Sequence, residues 1–229
     1  MIDDRPSGEI SQRRHRVFVV DDHPLVRESL ATLIDRQSDL SICGQASDSA
    51  SAFDAIVQLN PDVVVLDLSL PGESGLELIK KLQSLSRPPR LLVLSMHDEA
   101  FYAERVLRAG ALGYVMKHET TDKVIEGIRR VLMGRVFVSE KIAAQLAEKF
   151  VGVRGAQNLS PVARLSDREL EIFRLIGQGH ETRRIAQKLN LSIKTVQAHS
   201  ANIKEKLGLE NAAALIREAV RWVDRESPS

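Results

Sequence analysis

The residues best suited to chemistry stand directly after short apolar runs. Asp67 follows four consecutive apolar residues, Val63–Leu66, three of them β-branched, and Pro71-Gly72 marks a turn soon after it. Such a run is typical of a buried strand, and burying an unpaired carboxylate is costly. The same arrangement recurs at three other runs, which end in Asp21 and Asp22, in Ser95, and in Lys117.

These side chains suit a phosphoryl group held with a divalent cation. Clustered carboxylates repel one another and stay ionised near neutral pH only with a cation nearby. Oxygen ligands with open positions suit Mg²⁺, while an ammonium and a hydroxyl suit phosphate oxygens. An aspartate in this setting can attack a phosphoryl group and form an acyl phosphate. Singly, each residue has an ordinary explanation, such as an Asp pair at a helix N-terminus, but their order at successive run ends argues against coincidence.

The side chains meet only if the runs are strands of one sheet. Apolar spacing predicts five strand–helix pairs, which imply a parallel sheet with helices on both faces and a site beyond the carboxyl ends of its strands. The predicted strands are Val17–Val20, Leu40–Cys43, Val63–Leu66, Leu91–Leu94 and Leu112–Met116; the predicted helices are Pro24–Arg36, Ala50–Leu59, Gly75–Leu85, Ala100–Ala109 and Thr121–Met133.

Composition excludes several classes of protein. The 229 residues are 43% hydrophobic and 28% charged with a net charge of +1, which is ordinary for a globular protein. The one cysteine, Cys43, excludes a disulfide framework and favours a reducing compartment. No apolar run approaches the roughly 18 residues of a membrane span, and no signal-peptide core is present. We therefore expect a cytoplasmic protein without a membrane partner, and a disordered extension over residues 1–15.

The pattern changes after Gly134, which ends the α/β domain expected over residues 16–134. Residues 135–164 read as a helix, Ser139–Phe150, followed by a linker rich in Gly, Ser and Pro. Residues 165–229 predict an all-α domain of four helices, opened by a capping box between Ser166 and Glu169. These helices are Asp167–Gly177, Thr182–Leu189, Ile193–Leu207 and Asn211–Arg225.

The middle of this helical domain has the features of a DNA-binding unit. Two helices joined by a tight turn form a helix-turn-helix, whose second helix fits the major groove. Between residues 182 and 207 six basic residues face one acidic residue, a local charge of +5 in a chain of net +1. A localised basic surface is what phosphate backbone binding requires.

Residues 16–134 resemble the receiver domain of two-component response regulators, which is flavodoxin-like. The matching motifs are Val19-Val20-Asp21-Asp22, Val64-Val65-Leu66-Asp67, Leu94-Ser95-Met96-His97 and Gly113-Tyr114-Val115-Met116-Lys117. The resemblance implies phosphorylation of Asp67 by a histidine kinase. It further implies that Asp22, Asp67 and the Ser69 carbonyl bind Mg²⁺, with Asp21 acting through water. Ser95 and Lys117 would bind the phosphoryl oxygens. Tyr114 would be a switch residue that turns inward.

The helical domain resembles the LuxR-type helix-turn-helix, so the chain is similar to NarL/FixJ-family response regulators. The motifs are Thr195-Val196-Gln197-Ala198-His199, Asn202-Ile203 and Lys206-Leu207-Gly208. The likeness implies a groove-facing side made by Gln197, Ala198 and Ala201, and contacts to the DNA backbone or neighbouring groups by Lys194, Thr195, His199, Asn202 and Lys206. Many relatives carry a basic residue at positions 197 and 201, so readout here should favour adenine or a thymine methyl.

Together these features predict a phosphorylation-controlled transcription factor rather than a conventional enzyme. We expect a homodimer on two promoter half-sites. Two rivals stay open: a phosphatase of the haloacid dehalogenase kind, although Ser69 stands where that class has a second acid, and a stand-alone regulator that is not phosphorylated. The sequence also leaves open whether Trp222 serves the core or a dimer, and whether the receiver covers the recognition helix.

Overall fold

The N-terminal domain is built on one parallel sheet. The structure, a computed structural model, describes residues 13–71, 73–151 and 161–226. The five strands are β1 (His15–Val20), β2 (Leu40–Ala46), β3 (Val63–Leu66), β4 (Arg90–Ser95) and β5 (Gly113–Met116). Their order across the sheet is β2-β1-β3-β4-β5, with every pair parallel. The predicted doubly wound architecture is therefore confirmed.

Helices cover both faces of this sheet, because successive strand residues point to opposite sides. Phe18 and Val64 lie in a core with the second, third and fourth helices, whereas Val17 and Val65 lie in a core with the first and fifth. Helices exclude water from both faces of the sheet, and the strands are therefore continuous apolar runs in the sequence. The helices are α1 (Pro24–Asp35), α2 (Ser49–Leu59), α3 (Gly75–Gln83), α4 (Glu99–Arg108) and α5 (Thr121–Leu132).

Strand register brings the chemically active ends together. Val20 of β1 pairs with Leu66 of β3, so Asp21 and Asp67 emerge side by side, and the Asp67 amide donates to the Val20 carbonyl over 2.9 Å. The loop after Asp67 is then folded back tightly. A Cβ at Gly75 would lie 2.5 Å from the Asp67 carbonyl oxygen, so only glycine allows α3 to begin this close to the site.

The C-terminal domain is the expected four-helix unit, preceded by another helix and a 3₁₀ turn over Pro161–Arg164. The capping box between Ser166 and Glu169 is present, and Ser192 caps the third helix of the domain. Residues 152–160, on which most of the predicted linker falls, lie outside the described residues. The helices are α6 (Glu140–Val151), α7 (Asp167–Gly177), α8 (Thr182–Lys188), α9 (Ile193–Leu207) and α10 (Ala212–Glu226).

The N-terminal boundary of the first domain differs slightly from the expectation. Strand β1 begins at His15, two residues earlier than expected, because His15 pairs with Leu40 at the start of β2. The Arg14 guanidinium donates to the carbonyls of Asp35 and Gln37. Residues 1–12 of the expected extension lie outside the described residues. Within the described ranges, no helix is both long enough and apolar enough to cross a membrane.

The two domains dock through α4 of the receiver-like domain and α7 of the helical domain. Arg105 donates to the Asp167 carboxylate over 2.9 Å and to the Leu165 carbonyl over 2.8 Å, and Lys80 contacts Asp167 over 2.9 Å. Phe101 meets Trp222 of α10 edge to face, with ring centroids 5.4 Å apart. Trp222 is therefore buried in an interface between domains.

Candidate functional site

Lys117 and two aspartates form the centre of the site at the carboxyl edge of the sheet. The Lys117 Nζ lies 2.7 Å from Oδ2 of Asp21 and 2.7 Å from Oδ2 of Asp67. Asp21 is 1% exposed and Asp67 is 3% exposed. Two buried carboxylates can remain ionised this close together because one ammonium bridges them.

The position of Lys117 stabilises its charged form. Burial acts to lower its pKa, but the carboxylates of Asp67 and Asp21 more than offset burial, so the pKa of Lys117 is raised above its ordinary value. The lysine therefore provides a permanent positive charge beside Asp67. A fixed cation is well suited to neutralise charge on an incoming phosphoryl group.

An acidic cluster surrounds this centre. Asp21, Asp22, His23 and Asp67 each offer a ligand atom, and these atoms all lie within 4.8 Å of one another. Asp21 Oδ1 already accepts from the His23 amide over 2.9 Å. Asp22 Oδ1 is buried and lies 2.7 Å from His23 Nδ1, but it accepts no hydrogen bond of acceptable geometry from the part of the chain that the structure describes.

This donor set fits Mg²⁺. A buried carboxylate oxygen without a hydrogen bond is costly unless a cation or water completes it, and Asp22 Oδ1 is such an atom. Oxygen donors at the mouth of a sheet also match the preference of Mg²⁺, which retains several waters. Both carboxylate oxygens of Asp21 are already bonded, Oδ1 to the His23 amide and Oδ2 to Lys117.

The other predicted receiver residues are Ser69, Ser95 and Tyr114. The Ser69 amide donates to Asp67 Oδ1 over 3.2 Å. Ser95 is fully buried, and its Oγ accepts from the His97 amide over 3.3 Å. The ring of Tyr114 points inward in this structure and is 2% exposed, and its hydroxyl donates to the His97 carbonyl over 2.7 Å. The inward motion expected of Tyr114 on phosphorylation stays a prediction.

His97 is the residue that sequence reasoning missed. It appeared only as part of the Leu94–His97 motif, yet the structure places its ring 6% exposed, stacked on Tyr102 and within hydrogen-bond distance of Ser69 and of Arg174 from α7. Burial, with the nearby charges of Arg174 and Lys117, holds the pKa of His97 well below its usual range. The sequence feature that could have identified His97 was its position two residues after Ser95, just before α4 begins.

The predicted recognition helix presents an uncovered face. Lys194, Gln197, Ala198, Ala201 and Asn202 are all exposed on α9. On the opposite side of the helix Val196 and Ile203 are buried. The docked receiver-like domain therefore leaves the groove-facing side of α9 accessible.

Of the remaining predicted DNA-contact residues on α9, Thr195 and Lys206 form hydrogen bonds within the domain. The Thr195 amide donates to the Ser192 hydroxyl in the N-terminal cap of α9. His199 is half-buried, and its Nδ1 has no hydrogen bond among the described residues. Lys206 donates to the carboxylate of Glu169, a residue that is 3% exposed, over 2.6 Å.

The Glu169–Lys206 pair makes a prediction about stability. Burial acts to raise the pKa of Glu169, but hydrogen bonds from Lys206 and Ser166 lower it below its ordinary value. The carboxylate therefore stabilises the fold above the pKa of the unfolded chain, and that contribution is lost as pH falls through the lower folded value. At pH 7 we expect Glu169→Gln to reduce the free energy of unfolding by about 1–2 kcal/mol.

Chemical denaturation followed by the fluorescence of Trp222, the single tryptophan, measures this effect. The difference from wild type should shrink as pH falls below about 4.5. The exposed Glu205→Gln on α9 is the matched control and should behave as wild type. A difference that is constant from pH 7 to pH 3.5 would show that the ion pair is not its cause.

Comparisons with known proteins identify a family for each of the two domains. Residues 17–129 match the family model described as the response regulator receiver domain, and residues 163–219 match the one described as bacterial regulatory proteins, luxR family. The oxygen regulatory protein NreC of Staphylococcus carnosus (strain TM300) is 35% identical over 210 residues, covering 90% of this chain and 97% of NreC.

Solved structures of RcsB resemble this chain over most of its length. RcsB from Salmonella enterica serovar Typhimurium, bound to promoter P1flhDC in the presence of the phosphomimetic BeF₃⁻, gives a TM-score of 0.67 at 26% identity, covering 91% of this chain and 100% of that one. Another Salmonella typhimurium RcsB structure gives 0.70 at 27% identity, covering 91% and 98%. With its receiver domain and LuxR-type helix-turn-helix, this chain belongs to the NarL/FixJ family of DNA-binding response regulators.

Proposed function

We propose that Asp67 is the phosphoacceptor of this regulator and that its phosphorylation controls DNA binding by α9. The observation that carries this proposal is the buried Lys117 ammonium, 2.7 Å from both Asp21 and Asp67. A cation fixed beside a carboxylate at the mouth of a sheet is suited to phosphoryl transfer. We assign the receiver to residues 16–134, a helix and linker to 135–164 and the DNA-binding domain to 165–229.

Phosphoryl transfer makes one bond and breaks one bond. A carboxylate oxygen of Asp67 attacks the phosphorus of a phosphohistidine on the partner kinase, and the P–N bond breaks with its electron pair leaving on the imidazole. The product is an aspartyl phosphate. Little covalent chemistry is required of the protein, so positioning and charge neutralisation dominate the catalysis.

Mg²⁺ would be held by Asp22, Asp67 and the carbonyl of Ser69, with Asp21 acting through water. The buried Asp22 Oδ1 without a hydrogen bond supports this assignment. When bound, Mg²⁺ neutralises negative charge on the phosphoryl oxygens. The domain's own residues then orient the group: Lys117 donates to one phosphoryl oxygen, and the Ser95 hydroxyl, held by the His97 amide, donates to another.

The receiver would also catalyse its own deactivation by hydrolysis. Water attacks the phosphorus of the aspartyl phosphate and gives up a proton to solvent, the bond to the Asp67 oxygen breaks, and inorganic phosphate leaves. The same groups serve both reactions, and in both the domain changes its own Asp67. The matching family models describe a receiver and a DNA-binding regulator, in agreement with this limited catalytic role.

DNA binding would follow from the exposed face of α9. Gln197, Ala198 and Ala201 would meet base edges and methyl groups, while five others would contact the DNA backbone or support the helix: Lys194, Thr195, His199, Asn202 and Lys206. Structures of RcsB bound to promoters, and of RcsB dimers on DNA, support a dimer across two half-sites. Ala198 and Ala201 have only a methyl side chain, so their readout would be limited to apolar contact with thymine methyls.

Phosphorylation-dependent DNA binding tests the proposal. The probe is a duplex selected from random sequence by the protein treated with acetyl phosphate and Mg²⁺. Fluorescence anisotropy should then show tighter binding by about 10-fold or more for the treated wild type. Asp67→Asn, or omission of Mg²⁺, should abolish the gain, whereas the exposed Asp54→Asn should keep it.

An equal gain in Asp67→Asn would contradict the assignment of the phosphoacceptor. A treated wild type that carries phosphate on Asp67 but binds the duplex no more tightly would contradict the coupling to DNA binding. The two results are separated by measuring phosphate incorporation in the same samples.

A further inference from the structure

His97 joins the phosphoacceptor pocket to the DNA-binding domain. Its Nε2 lies 3.0 Å from the Ser69 hydroxyl, and its Nδ1 lies 3.2 Å from a guanidinium nitrogen of Arg174 on α7. Its backbone is fixed by the other switch residues, since its amide donates to Ser95 and its carbonyl accepts from Tyr114. One residue therefore contacts both sides of the interface and both members of the switch.

The two ring contacts define which nitrogen carries the proton. A guanidinium only donates hydrogen bonds, so Nδ1 of His97 must be an acceptor. The neutral ring then carries its proton on Nε2, which donates to the Ser69 hydroxyl oxygen. Burial and the adjacent charges of Arg174 and Lys117, which lower the pKa of His97, agree with a neutral ring.

The hydrogen bonds from Arg174 to His97 and from His97 to Ser69 therefore donate in the same direction, toward the receiver. Arg174 donates to His97, and His97 donates to the oxygen of Ser69, so the hydroxyl hydrogen of Ser69 remains available to a further acceptor. Ser69 adjoins Asp67, because its amide donates to Asp67 Oδ1 over 3.2 Å. Phosphorylation of Asp67 would add acceptor oxygens and roughly 1.5–2 units of negative charge. Such aligned hydrogen bonds strengthen one another.

We propose that His97 couples the charge on Asp67 to the docking of α7, so that phosphorylation strengthens the Arg174–His97 contact and orders the two domains. This proposal rests on the proposed function of Asp67. The negative charge of a phosphoryl group on Asp67 attracts the Arg174 guanidinium. It also polarises the His97 ring, which strengthens the aligned hydrogen bonds from Arg174 to His97 and from His97 to Ser69. The coupling is reciprocal: a docked α7 should equally favour phosphate at Asp67.

The exposed recognition helix supports this direction of coupling. In the docked arrangement the ring of Trp222 packs on Phe101 of α4 and on Phe173 of α7, while Gln197 and Ala201 on α9 are exposed. A docked domain is therefore able to meet DNA without leaving the receiver. Docking in this regulator would orient the DNA-binding domain relative to a dimer of receivers, and would not hide α9.

Trp222 provides a direct readout, because it is the single tryptophan and lies at the interface. Acrylamide quenching of the full chain should weaken when beryllofluoride and Mg²⁺ are added. In Arg174→Ala and His97→Ala, quenching should be stronger and should no longer respond. His97→Gln, whose amide can both accept and donate, should regain part of the response, and the exposed Arg184→Ala should match wild type.

The reciprocal measurement is the affinity for beryllofluoride, followed by ¹⁹F NMR of the bound form. Arg174→Ala changes a side chain of the DNA-binding domain, and it should weaken this affinity by about 5-fold or more. If beryllofluoride does not bind the wild type, the proposed function of Asp67 itself fails. If it binds but Trp222 becomes more accessible, or if Arg174→Ala changes neither quenching nor affinity, the coupling is contradicted while the phosphoacceptor assignment stands.

Discussion

Replacing Lys117 with alanine is expected to destabilise the receiver by about 3–5 kcal/mol in the absence of Mg²⁺. The ammonium bridges Asp21 and Asp67, which are 1% and 3% exposed. Without it, two buried carboxylates face each other without a compensating charge, and at least one must take up a proton. Chemical denaturation followed by far-ultraviolet circular dichroism, with Mg²⁺ absent, measures the loss.

Magnesium should restore much of the lost stability in the variant. A cation held by Asp22 and Asp67 replaces part of the missing lysine charge, so adding Mg²⁺ should stabilise Lys117→Ala more than wild type. Lys123→Ala is the control, because Lys123 pairs with Glu119 at the surface and should matter little. If Mg²⁺ stabilises wild type and variant equally, the ion does not bind the carboxylates that Lys117 bridges.

Alanine at both Lys194 and Gln197 is expected to weaken binding to the selected duplex by about 10–100-fold. Both side chains are exposed on α9. Loss of the Lys194 charge removes a phosphate contact, which should reduce the slope of log K against log salt by about one. Loss of Gln197 removes a side chain able to form two hydrogen bonds to adenine, which should flatten the preference for the selected sequence.

Fluorescence anisotropy at several salt concentrations separates the two contributions. Lys141→Ala makes the same change of charge on the exposed surface of α6 and should bind as wild type does. Should Gln197→Ala alone weaken all duplexes equally, its side chain would be a backbone contact. Unchanged binding by the double variant would place the DNA-binding surface elsewhere in the helical domain.

Much of the fold could be predicted because its strands are buried on both faces. Continuous runs such as Val63–Leu66 identified the sheet, and α7 and α9 were predicted at their observed bounds because caps at Ser166 and Ser192 define where each begins. Strand β2 was predicted too short. Its last residues, Gly44–Ala46, lack an apolar run, and only pairing with β1 makes them a strand.

The candidate site was predictable only where its residues follow strands. Asp21, Asp67 and Lys117 come from three strand ends, so sheet topology alone brings them together. His97 and Arg174 are 77 positions apart on different domains. No periodicity relates such residues, and their contact depends on how α4 and α7 dock. Likewise, the Glu169–Lys206 pair required the packing of α7 on α9.

Locating the phosphoryl group tests the account most directly. The full chain is treated with acetyl phosphate and Mg²⁺, reduced with borohydride, which converts an aspartyl phosphate into homoserine, and mapped by peptide mass spectrometry. The account predicts homoserine at position 67, dependent on Mg²⁺ and absent when the treatment is omitted. Homoserine at another aspartate, or a wild-type chain with no modified aspartate at all, would contradict it.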